Sequence, residues 1–131
     1  MRKFFYLAMI AMVAFVATSC KDGKPSSLKG TWEDRAYAEI DGVRVESLWT
    51  LTVTSSDETN APATLYHVFG EREEVNTQIL VNYSDGKGTF ASADGSKTFE
   101  GTIKAESKDE IVLNITKNGN PYLANGLFVK K

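Results

Sequence analysis

The 131-residue chain holds a single cysteine, a single histidine and three prolines, and it has no tryptophan after Trp49. One cysteine cannot close an intrachain disulfide, and with one histidine it cannot form a His/Cys metal set. His67 has no acidic partner visible nearby in sequence, and no Gly-x-Ser-x-Gly segment occurs, so the usual nucleophile arrangements are missing. Glu71-Arg72-Glu73-Glu74 reads as a charged turn because it lacks the spaced oxygen ligands of a calcium loop. Asp85-Gly86-Lys87-Gly88 sets glycines near a lysine but opens no helix, which excludes a phosphate loop. Basic residues are outnumbered by acidic ones, 15 to 17, so no basic patch points to nucleic acid. No catalytic residue, metal or cofactor is expected, and an enzyme is not the expected reading.

What is present begins at the N-terminus. Met1-Arg2-Lys3 is a short basic head, Phe4 to Ala17 is an uncharged apolar run, and Ala17-Thr18-Ser19 closes it with small residues. This is the three-part layout of a secretory signal peptide, and the run is too short to span a bilayer comfortably. The lone thiol, Cys20, follows at once. In an oxidising compartment an odd cysteine is a liability unless chemistry consumes it. Small residues immediately before cysteine resemble the lipobox of bacterial lipoproteins, carried here by Ala17, Thr18, Ser19 and Cys20; Ala17 stands where leucine is commoner. The resemblance implies removal of residues 1–19, a diacylglycerol on the Cys20 thiol and an acylated new amino terminus. Several acyl chains at about 0.8 kcal/mol per buried methylene make a durable membrane anchor.

Residues 20–27 then read as a lipidated, flexible stalk, since Lys21-Asp22-Gly23-Lys24-Pro25-Ser26-Ser27 is polar and rich in breakers. Lys21-Asp22 resembles in part the signal that some Gram-negative lineages use to send lipoproteins to the cell surface. The expected location is the outer membrane, held by lipid, with the cell surface as its further form. Loss of Arg2 and Lys3 with the signal leaves 13 basic residues against 17 acidic ones. Residues 28–131 are enough for one core and too few for two domains.

Beyond Leu28 the pattern has period two. Val43, Val45, Ser47, Trp49, Leu51 and Val53 share one face of a strand; Val75, Thr77, Ile79, Val81 and Tyr83 share another. Phe99, Gly101, Ile103 and Ala105, then Ile111, Leu113 and Ile115, repeat the alternation. Each describes a strand with one face in a core and one in water. Gly, Asn and Asp punctuate the runs at Asp41-Gly42, Asp57 to Pro62, Gly70 to Glu73, Asp85-Gly86, Asp94-Gly95, Lys108-Asp109 and Asn118-Gly119. Strands are expected over 31–38, 43–55, 63–70, 74–84, 88–92, 97–106, 110–117 and 121–130. Short connections make neighbours antiparallel, and an eight-strand meander loses its edges by closing into a barrel. The fold class is all-β, a small up-and-down barrel; a two-sheet sandwich satisfies the same strand count.

Leu28-Lys29-Gly30-Thr31-Trp32 resembles the Gly-x-Trp opening of the calycin superfamily and of bacterial lipoproteins described as lipocalin-like. The resemblance implies that Gly30 starts the first strand, that Trp32 plugs one end and that Lys130, on the last strand, lies across the indole. The helical pair of fatty-acid-binding proteins has no room between the first two strands, and the late tryptophans of avidins are absent. Asn82-Tyr83-Ser84 and Asn114-Ile115-Thr116 match a eukaryotic glycosylation sequon, which a bacterial lipoprotein makes irrelevant. An eight-stranded barrel is only just wide enough for its own side chains or one small ligand.

Two functions remain. One is a carrier of a small, partly apolar ligand, lined by Trp49, Tyr66, Tyr83, Phe90 and Phe99. The other is an envelope interaction module, an accessory subunit or inhibitor, with a solid core and binding loops. In either case contacts are expected at the rim opposite Trp32, near Tyr37, His67, Phe69 and Tyr122.

Overall fold

The computed structural model describes residues 23–131. The signal segment, Cys20 and the Lys21-Asp22 pair lie outside the described residues. Eight strands follow in order: β1 (Gly30–Ile40), β2 (Val43–Val53), β3 (Ala61–Phe69), β4 (Arg72–Ser84), β5 (Lys87–Ser92), β6 (Phe99–Ser107), β7 (Glu110–Lys117) and β8 (Asn120–Lys130). Each pairs antiparallel with the next and β8 returns to β1, closing a barrel rather than a sandwich. The described residues contain no helix.

Turn chemistry sets the register. Asp41-Gly42, Asp85-Gly86 and Asn118-Gly119 each place two successive residues at positive φ, the backbone of the tight turns whose twist matches paired strands. Alternation does the rest, because a slip of one residue would turn each apolar set out to water. Strand limits differ from expectation by one or two residues. At Phe99 β6 starts two residues late because Asp94 to Thr98 hold a hydrogen-bonded turn of their own: Ser96 N–H donates to Asp94 Oδ1 at 2.8 Å and Thr98 N–H to Ser96 Oγ at 3.2 Å.

Inward side chains fill the barrel. Trp32, Leu51, Leu65, Ile79, Ile111, Leu113 and Phe128 are fully buried, and Val81, Phe90, Ile103 and Ile115 pack among them. The space that Gly101 leaves is taken by the Phe90 ring: a Cβ at Gly101 would collide with that ring and with the Asn114 carbonyl oxygen. Gly101 thus makes room for an aromatic neighbour.

One end is latched shut. Trp32 is 0 % exposed, its indole Nε1 donates to the Leu28 carbonyl at 2.9 Å, and Lys130 Nζ stands 5.5 Å from its ring centre. Gly30, at φ 131, lies under the Lys130 stem, a place and a backbone angle that suit only glycine. The stretch before Leu28 is also fastened: the Tyr83 hydroxyl donates to the Pro25 carbonyl at 2.7 Å, and the Lys24 stem crosses Gly86. The polar residues Lys24 to Ser27 therefore belong to the barrel floor, which shortens the flexible part of the expected stalk.

Removing the plug should be costly. Trp32→Ala is expected to destabilise the domain by about 3–5 kcal/mol, as large-to-small core changes do, measured by chemical denaturation. Lys130→Ala should cost about 1 kcal/mol or less, since a partly exposed cation over a ring contributes little.

Candidate functional site at the far rim

β1 leaves the latch and runs to the opposite rim, so the turns after β1, β3, β5 and β7 gather there. The seam between β1 and β8 is paired only at Trp32 with Lys130 and Glu33 with Val129. Lys131 N–H adds a bond to the Thr31 carbonyl at 2.9 Å. From Asp34 to Ile40, β1 has no partner on that side. On the other side, β2 pairs with β3 only as far as Ser47 opposite Phe69, with one more bond from Gly70 N–H to the Glu46 carbonyl. Residues 35–44 are exposed throughout, so the β1–β2 hairpin projects past the barrel as a two-stranded arm.

On the outer face of that arm, Arg44 lies 4.0 Å over the Tyr37 ring, the Tyr37 hydroxyl donates to Glu46, and Arg35 pairs with Glu46. Its other face shows Ile40 and Val43 to water. The exposed large apolar side chains of the described residues are Tyr37, Ile40, Val43, Tyr122, Leu127 and Val129. All six sit on the arm or on β8, the strands that border the open seam.

The barrel mouth beside the arm is closed by aromatics. Trp49 and His67 stack face to face at 4.2 Å, and Tyr122 sets an edge against Trp49 at 5.8 Å and Phe99 at 6.1 Å. Lys117 Nζ lies 5.5 Å from the Tyr122 ring and 5.7 Å from that of Phe99. The Ser47 hydroxyl and His67 Nε2 are 2.8 Å apart, while His67 Nδ1 is buried without a hydrogen-bond partner. Burial holds the imidazole pKa below its ordinary value, with Glu74 pulling weakly the other way. Asp34 faces inward opposite Trp49, and burial raises its carboxyl pKa.

The residues expected to line a ligand site divide into three groups. Trp49, His67, Phe99 and Tyr122 do meet at the far rim, where Phe69 ends β3 opposite Ser47 and stands beside Val45, apart from that cluster. Tyr66, in register with Thr50 and Asn76, turns to the outer face, and Tyr37 likewise lies outside. Phe90 and Tyr83 are structural, one filling the space over Gly101 and the other fastening the floor. Asp34 was not among the expected site residues, although its position two residues after Trp32 puts it in phase with the buried face. Two volumes lie on the outside, about 710 Å³ over β4 to β7 and about 490 Å³ beside it, and a third of about 390 Å³ opens at the far rim between Val45, Phe69, Glu71 and Arg72. Among the described residues no group of His, Cys, Asp and Glu side chains could hold a metal ion.

Comparison with family models, with curated proteins and with solved structures finds no match for this chain. The topology, an eight-stranded antiparallel barrel, is consistent with a lipocalin-like fold.

The His67 environment predicts a pH dependence. Its folded pKa lies below the ordinary imidazole value of about 6.5, so the unfolded chain takes up the proton first, and stability is lost as pH falls from there through the folded value. Denaturation midpoints of the wild type and His67→Phe, compared across that window, should diverge as the solution is acidified. Asp34 has the opposite sign: its raised pKa means the fold resists the ionised form, so Asp34→Asn should stabilise the domain at neutral pH and lose that advantage in acid.

Proposed function

We propose that this protein is a lipid-anchored envelope component of lipocalin-like type that binds on its outside, as an interaction module, rather than carrying a ligand in its barrel. The observation that carries this reading is the filled interior with its mouth shut by Trp49, His67, Phe99 and Tyr122, while the exposed apolar side chains gather on the arm and β8. A carrier of this size needs an enclosed apolar space of about 300 Å³ or more. An exposed two-stranded ribbon with apolar side chains is marginal alone and gains by being covered.

The anchor at Cys20 fits this geometry. Lys24 already lies on the barrel floor, so about four residues, reaching roughly 14 Å, join the lipid to the latch end. The latch end then faces the membrane, and the arm and mouth face away from it. Placement in the outer membrane, on either face, belongs to the same proposal.

Cys20→Ser should abolish labelling by a fatty-acid analogue and release the protein from the membrane fraction; unchanged labelling removes the anchor. Protein purified from cells should give the bare acylated mass by native mass spectrometry. Near-equimolar release of a small apolar molecule would restore the carrier. A photo-crosslinking residue at Tyr37 or Tyr122 should capture a partner in cells, and one at Thr64, on the outer wall of β3, should not.

A further inference from the structure

The 710 Å³ depression lies on the outer wall near the latch end, and its floor is a row in register across four strands. Asn82 of β4 faces Thr89 of β5, Thr89 faces Thr102 of β6, and Thr102 faces Asn114 of β7. At about 4.8 Å per strand the row spans roughly 14 Å.

Both asparagines are held from outside the row. Asn82 Oδ1 accepts from the Asn60 backbone N–H at 3.0 Å, and Asn114 Oδ1 accepts from the Asn125 backbone N–H at 2.8 Å. Asn60 and Asn125 adopt positive φ, 52° and 54°, a backbone that few side chains tolerate. With each oxygen fixed by a donor, each Nδ2 is left as a donor without a hydrogen-bond partner among the described residues. One step toward the latch, Lys87 stands directly opposite Lys104 on the neighbouring strand. Like charges in that position repel, and neither lysine has an ion-pair partner among the described residues. The one carboxylate lining the depression is Glu58.

We propose that this wall binds an acidic glycan, with its phosphate or carboxylate on the Lys87–Lys104 pair and its sugar hydroxyls on the Asn82–Thr89–Thr102–Asn114 row. An anion between the lysines replaces their repulsion with two charge-assisted contacts. Amide donors and threonine hydroxyls match a hydroxyl-rich surface, and the row offers no aromatic platform for stacking a base. The depression adjoins the floor beside Gly86, where the anchor leads to the membrane, so the same chemistry is within reach on a free oligosaccharide or on a glycolipid headgroup. The inference rests on the reading that this protein binds with its outer surface.

The test uses the full chain in mild detergent, with trigalacturonate and glucose 6-phosphate as acidic probes and maltotriose as the neutral one. Vesicles carrying a bisphosphorylated glucosamine lipid present the membrane-bound source. Saturable binding of an acidic probe or of these vesicles, with maltotriose much weaker, is expected. Lys87→Glu should weaken it by about tenfold or more while leaving the melting temperature unchanged or higher, because it turns a repelling pair into an attracting one. Asn82→Ala and Asn114→Ala should each weaken it by about threefold or more. Lys29→Glu, elsewhere at the same end, should have little effect. Binding to vesicles alone assigns the ligand to the membrane, and binding in solution assigns it to free glycan. Absence of saturable binding, or equal losses in Lys29→Glu and Lys87→Glu, overturns the site. Crosslinking at Tyr37 and Tyr122 reports separately on the rim, so failure here leaves the interaction-module reading standing.

Discussion

The barrel is closed by very little. Eight strands return on themselves through two paired residues of β1 and one added backbone bond, all beside Trp32. That closure would fray if the indole were not buried under Leu28 and Lys130, because an exposed two-residue ladder contributes almost nothing against chain entropy. Leu28, Trp32 and Phe128 supply the apolar burial at this end, and the indole N–H is satisfied by the carbonyl of a residue that is itself buried. Hydrophobic burial and one satisfied donor thus decide whether the sheet is a barrel or an open strip.

Concentrating closure at one end has a consequence at the other. Beyond Glu33 the two seam strands are free to part, and β8 is irregular where it would have to follow β1: its pairing with β7 shifts register near Ile115, and Asn125 sits at positive φ. Pro121 and the Asn125 bulge blunt the β8 edge against chance strand pairing. The β1 edge has no glycine or proline from Thr31 to Ile40 and carries charge instead, at Glu33, Asp34, Arg35 and Glu39, of which Asp34 points inward. The two edges of the open seam are thus guarded by different means, a bulge and a proline on β8 and charge on β1.

Much of this fold was legible because its determinants are local. Positive-φ turns at Asp41-Gly42, Asp85-Gly86 and Asn118-Gly119 and the alternation from Val43 to Val53 fix strand count and facing without knowledge of neighbours. The site was less legible. Tyr66 and His67 are adjacent and equally plausible as inward residues; only the pairing of β3 with β2, which sets His67 against Trp49, decides between them. Asp34 is in phase with Trp32 but carries a charge, so hydropathy alone hides it. The fastening of Pro25 by Tyr83 joins residues 58 positions apart, and nothing in a polar, proline-containing stretch announces it.

The lateral row on the outer wall is the hardest feature to read from sequence, because it belongs to four strands at once. Asn82 and Asn114 are separated by 32 positions and look like solvent-facing polar residues of half-buried strands. Their likeness appears only when register is known: each offers its oxygen to a backbone N–H of a left-handed asparagine and keeps its amide free. At these positions the fold needs an acceptor for the backbone N–H of Asn60 and of Asn125, which each carboxamide oxygen supplies. Two carboxamides are thus held the same way at both ends of one row, beside two lysines that have no ion-pair partner among the described residues. The latch end is therefore unlike a simple plug: it combines a rigid floor with a polar wall that four strands hold in register. The register that builds the row is set by the Asp85-Gly86 turn and by the alternation along β4 to β7, which the core beneath them enforces.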